Sequence, residues 1–413
     1  MDATKNKIIE QVEHDTHQLV CLLQELISIP SDNPPGDCLA IATHVIKKLQ
    51  DYEDFTIQVL PVDVVDKHAT DQQKIVNVLA TKVFGSGQGP EIVLNAHGDV
   101  VPPGLGWTFD PYGGEIHEGA IYGRGAAVSK SDIAVYTYAV LALQQVAEQL
   151  EGKIVLAFTF DEETGGELGP KWLLEEGYIK PDYAITAGFT YSIVNAHNGC
   201  LHLEVKTIGR SAHAASPTDG IDALEAMTGI LHGLYGYRNT LKDIHSQIAG
   251  IDSPSLVIGL IQAGINTNVV PDECVIRLDR RMIPEEEADD VEIRLRHFIA
   301  SLVDSYPGIR LEIRRILLAE AYGPIRTDER LIQTVATNYQ AITGETAPIL
   351  GVPLYTDARH FAEFDVPVIM FGAGPRTLED ANAHRANEHV AVMDLELATK
   401  IVSCSLYDLL KKR

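Results

Sequence analysis

The sequence predicts an α/β protein in which a second, βαββαβ domain is inserted into a larger one. The chain has 413 residues, which is longer than a single hydrophobic core usually sustains. Short apolar strands alternate with helices up to about residue 198, a different pattern follows, and the alternation returns after about residue 319. We therefore expect a larger domain formed by residues 1–198 and 319–413, with residues 199–318 folding separately.

The larger domain should contain a largely parallel sheet. Several of its strands are apolar throughout, as strands buried on both faces are, and they alternate with segments of helical period. The predicted strands are "FTIQVLPV", "IVNVLATK", "EIVLNAHGD", "KIVLAFTF", "YAITA" and "PVIMFGAG". The predicted helices span about 5–29, 38–49, 131–149, 170–176, 328–343 and 395–412.

The insert is predicted to be an antiparallel sheet with two helices. "CLHLEVKTIG" alternates apolar and polar residues, as expected for a strand with one buried face. Helical periodicity follows at 220–241, then a strand pair at 255–264 and 274–283, a second helix at 286–304, and a last strand, "IRLEIRRILL". The order βαββαβ is that of a common two-layer motif.

Composition limits the partners and the compartment. The formal net charge of -25 argues against nucleic acid and against an anionic membrane surface, because both require a basic face. The N-terminus lacks the apolar core of a signal peptide, and no apolar run is long enough to span a bilayer. Cysteines are few, odd in number and widely spaced, so we expect a reducing, cytoplasmic compartment. They are Cys21, Cys38, Cys200, Cys274 and Cys404.

Ligand-type side chains follow apolar strands at three places. "IVLNAHGDVVP" places His97 and Asp99 after one strand, and "IVLAFTFDEETGGELG" places Glu162 and Glu163 after another. The third stretch, "NAHRANEHV", contributes His384. Because open α/β sheets bind their ligands at the carboxyl edge of the strands, these side chains should lie at a common site.

The residue types in these stretches suit metal-assisted hydrolysis. An aspartate two residues from a histidine lies on the same face of an extended segment and can orient the imidazole of a metal ligand. Of two adjacent glutamates, one can bind a metal while the other acts as a base on water. Each stretch alone is also compatible with a solvated turn or a capped histidine, whereas the three together favour a metal site.

A series of short motifs extends from "SIPSDNPPG" nearly to the C-terminus. It comprises "AHGDVVP", "YGRG" followed by Lys130, "DEETGG", "GRSAHAASPTDG", "NVVP", "TDARHF" and "AHRANEHV". In order and content it resembles the aminoacylase/carboxypeptidase G/succinyl-diaminopimelate desuccinylase family of metallopeptidases. The resemblance implies a zinc-peptidase-like three-layer catalytic domain, an inserted ferredoxin-like lid, and hydrolysis of a C–N bond in a small molecule.

The resemblance also implies roles for the residues of the three strand ends. His97 matches the first metal ligand of the family and Asp99 the residue that orients it. Glu162 matches the general base, Glu163 a ligand, and His384 the last ligand. The cofactor would be a divalent ion, manganese or zinc.

Three residues of the insert match family positions as well. His213, in "GRSAHAASPTDG", matches the lid histidine that reaches the partner subunit's site and stabilises the oxyanion. The predicted catalytic residues are therefore Glu162, His213 and Asp99. Asn268 in "NVVP" and Arg281 in "LDRRM" resemble residues that contact polar groups of the substrate; a turn asparagine and a surface arginine are equally simple interpretations. A homodimer or higher homo-oligomer through the lid is expected.

The chain departs from the family pattern at two ligand positions. Val128 stands where the family has the aspartate that bridges two metals, and a valine has no lone pair to offer. Gly188 stands where the family has a carboxylate, followed by Phe189 in place of proline. The remaining ligands suffice for one metal ion, and Val128 and Phe189 would make the pocket more apolar, with Phe189 placed to contact a flat substrate ring.

Three hypotheses therefore remain open. The first is a one-metal hydrolase of an amide or of an aromatic amine, similar to the nitroanthranilate-type aminohydrolases of this family. The second hypothesis is a conventional dinuclear N-acyl-amino-acid deacylase or dipeptidase, in which Asp132 or another acid restores the bridge. The third is a catalytically inactive binding protein with this fold.

Overall fold

The computed structural model describes residues 2–52, 55–63, 74–327, 329–377 and 379–412. The chain divides into two compact units. Unit 1 comprises Met1–Asn195, Ile325–Ile349 and Thr356–Arg413, and unit 2 comprises Ala196–Pro324 and Leu350–Tyr355. The sequence-based limits at residues 199 and 318 lie near the ends of the inserted unit, which additionally includes the short stretch Leu350–Tyr355.

The elements up to the start of unit 2 alternate between strands and helices. In chain order they are α1 (Ala3–Ile27), α2 (Leu39–Gln50), β1 (Thr56–Asp63), β2 (Lys74–Phe84), β3 (Glu91–His97), β4 (Glu115–His117), β5 (Ala120–Tyr122), α3 (Lys130–Leu141), β6 (Gly152–Thr159), α4 (Trp172–Glu175), β7 (Tyr183–Thr186) and β8 (Ile193–His197). Short 3₁₀ segments at Ala142–Gln149 and Glu162–Thr164 and a π-helical turn at Glu167–Lys171 lie between them.

The remaining elements complete both units. Unit 2 contains β9 (Gly199–Ile208), α5 (Ala223–Leu241), β10 (Ser255–Ala263), β11 (Glu273–Met282), α6 (Ala288–Val303) and β12 (Arg310–Ala319), with a 3₁₀ turn at Pro217–Asp219. The chain then forms α7 (Arg330–Thr343), β13 (Ile349–Val352), α8 (Ala358–Glu363), β14 (Val368–Met370), β15 (His389–Ala391) and α9 (Val392–Leu410).

The main sheet is parallel in its centre and antiparallel toward its edges. Within the described residues its strand order is β1-β2-β6-β3-β7-β14-β8-β13. The strands β6, β3, β7 and β14 are parallel, whereas β1, β2 and β8 pair in the antiparallel sense. The predicted largely parallel sheet is thus correct for the centre. An apolar strand buried on both faces has the same pattern in either direction, so the sequence did not distinguish them.

Helices cover this sheet and bury its strands. Every residue of β3 is buried, and α3 packs against β3 and β6. The helices α1, α3, α7 and α9 also pack on one another, and their apolar side chains join those of the strands in one core. None of the helices in the described ranges has the length and apolar character that crossing a bilayer requires.

Unit 2 has the predicted ferredoxin-like arrangement. Its strands pair antiparallel in the order β10-β11-β9-β12. Leu201, Leu203 and Val205 of β9 point to one face and form a core with α5 and α6, because side chains alternate along a strand. The alternate residues of β9, which include Cys200 and His202, lie on the opposite face of the sheet. The α/β fold with a βαββαβ insert is therefore confirmed.

Candidate functional site

The carboxyl ends of β3 and β6 lie side by side and bring two of the predicted stretches together. His97 ends β3 in register with Thr159, and the N–H of Gly98 donates to the carbonyl of Thr159 at 2.9 Å. Strand β6 ends at Thr159, and Phe160, Asp161 and the turn Glu162–Thr164 follow. Pairing of two buried parallel strands therefore fixes His97 next to the adjacent glutamates.

The ring of His97 is held from one side by Asp99. Its Nδ1 lies 3.0 Å from the backbone carbonyl oxygen of Asp99 and 3.4 Å from the carboxylate Oδ1. In the neutral ring these partners place the proton on Nδ1, which leaves the lone pair of Nε2 facing Glu162 at 3.8 Å. The other carboxylate oxygen of Asp99 accepts from the N–H of Glu163 at 3.1 Å and from Asn33 at 2.9 Å. Asp99 thus ties the histidine to the glutamate turn.

The glutamates and histidines converge as the sequence predicts. The ligand atoms of His97, Glu162 and Glu163 all lie within 4.8 Å of one another. His384 has a positive φ of 59°, is about half exposed, and places its Nε2 3.4 Å from Oε1 of Glu163. His384 therefore joins the group through Glu163. Roles as base or ligand remain predictions from the family resemblance.

The electrostatics of this group favour a bound cation. Burial raises the pKa of Glu162, the nearby His97 opposes the rise, and Glu163 and Asp99 reinforce it. Burial lowers the pKa of His97, but the carboxylates outweigh burial and hold it well above its usual value. The Glu163 carboxylate likewise raises the pKa of His384. The raised pKa values of the two histidines share one cause, the nearby carboxylates, and at Glu162 these charges add to the effect of burial.

An unsatisfied oxygen points to the same conclusion. Oε1 of Glu163 is buried and receives no hydrogen bond from the residues that the structure describes, although His384 lies beside it. A buried carboxylate oxygen without a donor is costly unless a cation binds it. Two imidazoles and carboxylate oxygens are suitable ligands for zinc and for manganese. The residues present therefore fit a divalent metal ion.

Val128 lies at the edge of this group. The hydroxyl of the next residue, Ser129, donates to the carbonyl of His97 at 3.1 Å, which holds the loop against the end of β3. The Val128 side chain is half-buried, its N–H donates to Glu388 at 3.1 Å, and the Val128–Ser129 peptide bond is cis. A side chain without a ligand atom thus occupies this loop position.

Asp132, the acid considered as a substitute for the bridge, has other partners. It is fully buried, and its two oxygens accept the N–H groups of Ala373 at 2.7 Å and of Gly188 at 3.2 Å. A Cβ on Gly188 would lie 2.6 Å from the backbone nitrogen of Phe371, so a carboxylate side chain does not fit there without a backbone shift. The next residue, Phe189, is half-buried, and its contact with substrate stays a prediction.

In unit 2, the segments that carry His213 and Asn268 are neighbours. His213 forms an isolated bridge with Val269, and the carbonyl of Asn268 accepts from the N–H of Ala214 at 3.0 Å. The side chains of His213 and Asn268 are exposed, and Nδ1 of His213 accepts from the N–H of Ala215 at 3.0 Å. This local bond in a turn uses one ring nitrogen and leaves Nε2 of the ring available.

Arg281, the third residue predicted on the insert, is engaged within its own sheet. Its Nε lies 3.0 Å from Oδ1 and 3.2 Å from Oδ2 of Asp279, and its guanidinium lies over the ring of Tyr355. About a third of the side chain is exposed. The contact of Arg281 with substrate therefore stays a prediction, and any such contact would be shared with Asp279.

Two further groups that the sequence patterns did not identify support the site. Arg124 and Glu388 form a fully buried ion pair that also holds the Val128 loop. Arg359 donates to the carbonyls of Gly165 and Thr356, which docks the start of α8 on the glutamate turn. The motifs "YGRG", "NEHV" and "TDARHF" contained these residues, but nothing in the sequence stated which pairs meet.

Comparison with known proteins identifies the family and the fold of the chain. The model of Peptidase family M20/M25/M40 matches residues 93–408. A succinyl-diaminopimelate desuccinylase from a Nitratiruptor species is 27% identical over 385 residues, which cover 90% of this chain and 96% of that protein. An acetylornithine deacetylase from Vibrio atlanticus is 33% identical over 233 residues, which cover 56% of this chain and 60% of that protein.

Solved structures resemble the chain along nearly its whole length. That of a di-peptidase from Saccharomyces cerevisiae covers 99% of both chains with a TM-score of 0.79 at 15% identity, which shows a shared fold. The family match includes both strand ends, the Val128 loop and His384. The resemblance drawn from the motifs is thereby confirmed. The chain belongs to peptidase family M20/M25/M40, whose members are metal-dependent hydrolases of amide and peptide C–N bonds.

Proposed function

We propose that this chain hydrolyses the C–N bond of a small molecule at a site that holds one divalent metal ion. The proposal rests on one observation: some of the positions that bind metal in the family still carry ligand side chains here, and others do not. His97, Glu163 and His384 are retained and converge, whereas Val128 and Gly188 contribute no ligand atom. A second cation would lack anionic ligands and would be repelled by the first.

The proposed chemistry divides between the cation and the protein. A divalent ion at this site supplies Lewis acidity toward the substrate and toward water. Glu162 takes a proton from the attacking water and returns it to the departing nitrogen, so an amide yields an acid and an amine. Asp99 keeps His97 in the tautomer whose Nε2 can bind a cation. His213 of a neighbouring subunit would stabilise the oxyanion.

We further propose that the substrate is an amide or an aromatic amine. The similarity to a desuccinylase and to a deacetylase supports an N-acyl compound. The apolar Val128 and half-buried Phe189 support a flat, apolar group beside the scissile bond. In the aromatic case water adds to the ring carbon that bears the amino group, and ammonia leaves with the proton from Glu162. Turnover measured on a panel that contains both amides and aromatic amines distinguishes these two substrate classes.

Metal content tests the one-metal site directly. Protein saturated with manganese and then freed of excess is expected to retain about one ion per chain, and a chelator should remove it readily. The Val128→Asp variant is expected to raise the metal content, because it returns a carboxylate to the loop beside His97. The matched Val128→Leu variant keeps the loop apolar and should leave the content at that of the natural chain.

Two outcomes would contradict the proposal. A firmly bound pair of manganese ions in the natural chain would mean that another acid bridges them, which is the conventional dinuclear alternative. Complete lack of turnover over the whole panel, in protein with normal metal content, would favour a binding protein that has kept the fold. Elemental analysis and the substrate panel, performed on the same preparation, therefore address both alternatives.

The active unit is proposed to be at least a homodimer through unit 2, acting in the cytoplasm on a small molecule. Strand β10 is an edge strand with exposed Val257 and Ile261, which suits pairing with a second copy. All five cysteines lie in the described part of the chain and none is in a disulfide, which supports a reducing compartment.

Subunit mixing tests the proposed partner role of His213. Chains carrying Glu162→Gln and chains carrying His213→Ala should each be inactive, and mixing them should restore activity in hybrids that contain one intact site. Exchange is verified by mass spectrometry of the mixed oligomer. Verified exchange without any recovered activity would mean that His213 acts within its own chain or is structural.

A further inference from the structure

A second group of ligand-type side chains lies on the open face of the sheet in unit 2. Strands β9 and β11 pair antiparallel, with Cys200 opposite Arg281 and His202 opposite Asp279. Because side chains alternate along each strand, these four residues share one face, opposite the face that packs on α5 and α6. Cys200 is buried, whereas His202 and Asp279 are each about a third exposed, so an ion from solvent can reach them.

Two separations within this group, each to a different oxygen of Asp279, have the size expected for tetrahedral coordination. Sγ of Cys200 lies 3.6 Å from Oδ1 of Asp279, and Nε2 of His202 lies 3.3 Å from Oδ2. The ligand atoms of all three residues lie within 4.8 Å of one another. Ligands of a tetrahedral zinc ion stand roughly 3.3–3.7 Å apart when their bonds to zinc have the usual lengths of about 2.0–2.3 Å. A side-chain adjustment within the 4.8 Å spread of the three ligand atoms would bring them to one ion.

The positive charge of Arg281 disfavours a cation at this place. The way in which Arg281 contacts Asp279 is nevertheless compatible with a bound metal ion. Its Nε contacts both oxygens of Asp279, at 3.0 and 3.2 Å. Carboxylates that bind metals commonly accept such a hydrogen bond, which fixes their orientation. A thiolate and a carboxylate carry two negative charges, so the ligands still outweigh the single positive charge of Arg281. An isolated Asp279–Arg281 ion pair, moreover, would require neither Cys200 nor His202 beside it.

We propose that Cys200, His202 and Asp279 form a second metal site, which binds a thiophilic divalent ion such as Zn²⁺. A fourth position is open to solvent, and Arg281 holds the carboxylate of Asp279 in place. This site differs in chemistry from the group in unit 1, whose ligands are histidines and glutamates without a thiolate. Soft thiolate ligation favours zinc over manganese and magnesium, so the two sites differ in metal preference.

Cobalt(II) spectroscopy of the full-length, metal-free protein tests this site apart from the first one. A cobalt ion bound by a thiolate gives a charge-transfer band in the near ultraviolet, which a histidine and carboxylate site cannot give. The natural chain is expected to show this band, and Cys200→Ser is expected to lose it. Cys274→Ser is the matched control, since Cys274 is also a buried cysteine of this sheet but lies on the helix-covered face. His97→Ala, which removes a ligand of the first site, should keep the band.

A second variant keeps the test decisive if the serine substitution disturbs folding. His202→Gln alters a more exposed side chain and is expected to raise the cobalt concentration at half-saturation of the band by about tenfold or more. The absence of any thiolate band in the natural chain at saturating cobalt would overturn the proposal. So would a band that survives in folded Cys200→Ser, or a half-saturation unchanged in His202→Gln.

Discussion

Replacing Glu162 by glutamine is expected to lower kcat by roughly two to four orders of magnitude and to leave the metal content unchanged. The amide preserves the volume of the side chain but cannot take a proton from water. Glu162 closely follows β6, its Oε2 lies 3.8 Å from Nε2 of His97, and burial raises its pKa. A raised pKa makes a carboxylate a better proton acceptor, so removal of the Glu162 carboxylate should slow the chemical step.

The measurement pairs steady-state kinetics with elemental analysis of the same protein. Glu167→Gln is the matched control, because Glu167 lies just beyond the same turn but is half exposed and pairs with Lys171 at the surface. It should retain kcat close to that of the natural chain. Near-normal turnover in Glu162→Gln would remove Glu162 from the role of base. Loss of the metal together with the activity would identify it as a ligand.

The positions of His97 and the glutamates could be predicted because their cause is local. An apolar run that ends abruptly in charged residues marks the carboxyl end of a buried strand. Two such ends in a parallel sheet meet at one edge, so His97 and Glu162 were expected together before any distance was known. In the structure, the last residue of β3, His97, lies in register with the last residue of β6, Thr159, as this reasoning predicts.

The partners of buried charges could not be predicted, because they depend on contacts between distant segments. Arg124 and Glu388 are 264 positions apart in the chain. Asp132 was considered as a replacement for the bridging acid, since its residue type and its place near Val128 allowed that role. Its actual partners, the N–H groups of Gly188 and Ala373, are backbone atoms that no sequence pattern displays.

Short elements and strand directions also could not be predicted from the sequence. The strands β8 and β13 and the helix α8 have at most six residues each, too few to show a periodicity. The antiparallel edge strands β1 and β2 are separated by residues 64–73, which lie outside the described part of the chain. In unit 2 the strands β9 and β11 alternate between buried and less buried residues, and there the antiparallel sheet with its βαββαβ order was predicted correctly.

Replacing Glu388 by alanine is expected to lower the free energy of unfolding of unit 1 by about 3–5 kcal/mol, because it leaves Arg124 buried and unpaired. Both side chains are almost fully buried. The second oxygen of Glu388 accepts the N–H groups of Ala127 at 3.0 Å and of Val128 at 3.1 Å, so the loop beside the metal site loses its anchor as well. Urea denaturation followed by tryptophan fluorescence reports on this unit alone, since Trp107 and Trp172 both belong to it.

A double-mutant cycle separates the ion pair from the loop contacts. Glu388→Gln removes the charge and keeps an oxygen for the loop, Arg124→Met removes the cation, and the double variant removes both charges. Because only the single Glu388→Gln variant leaves the guanidinium buried without a counter-charge, the double variant should cost less than the sum of the singles by roughly 1–3 kcal/mol. Additive costs would mean that the two side chains act independently. The exposed pair Lys171–Glu167 is the reference, where Glu167→Gln should cost about 1 kcal/mol or less.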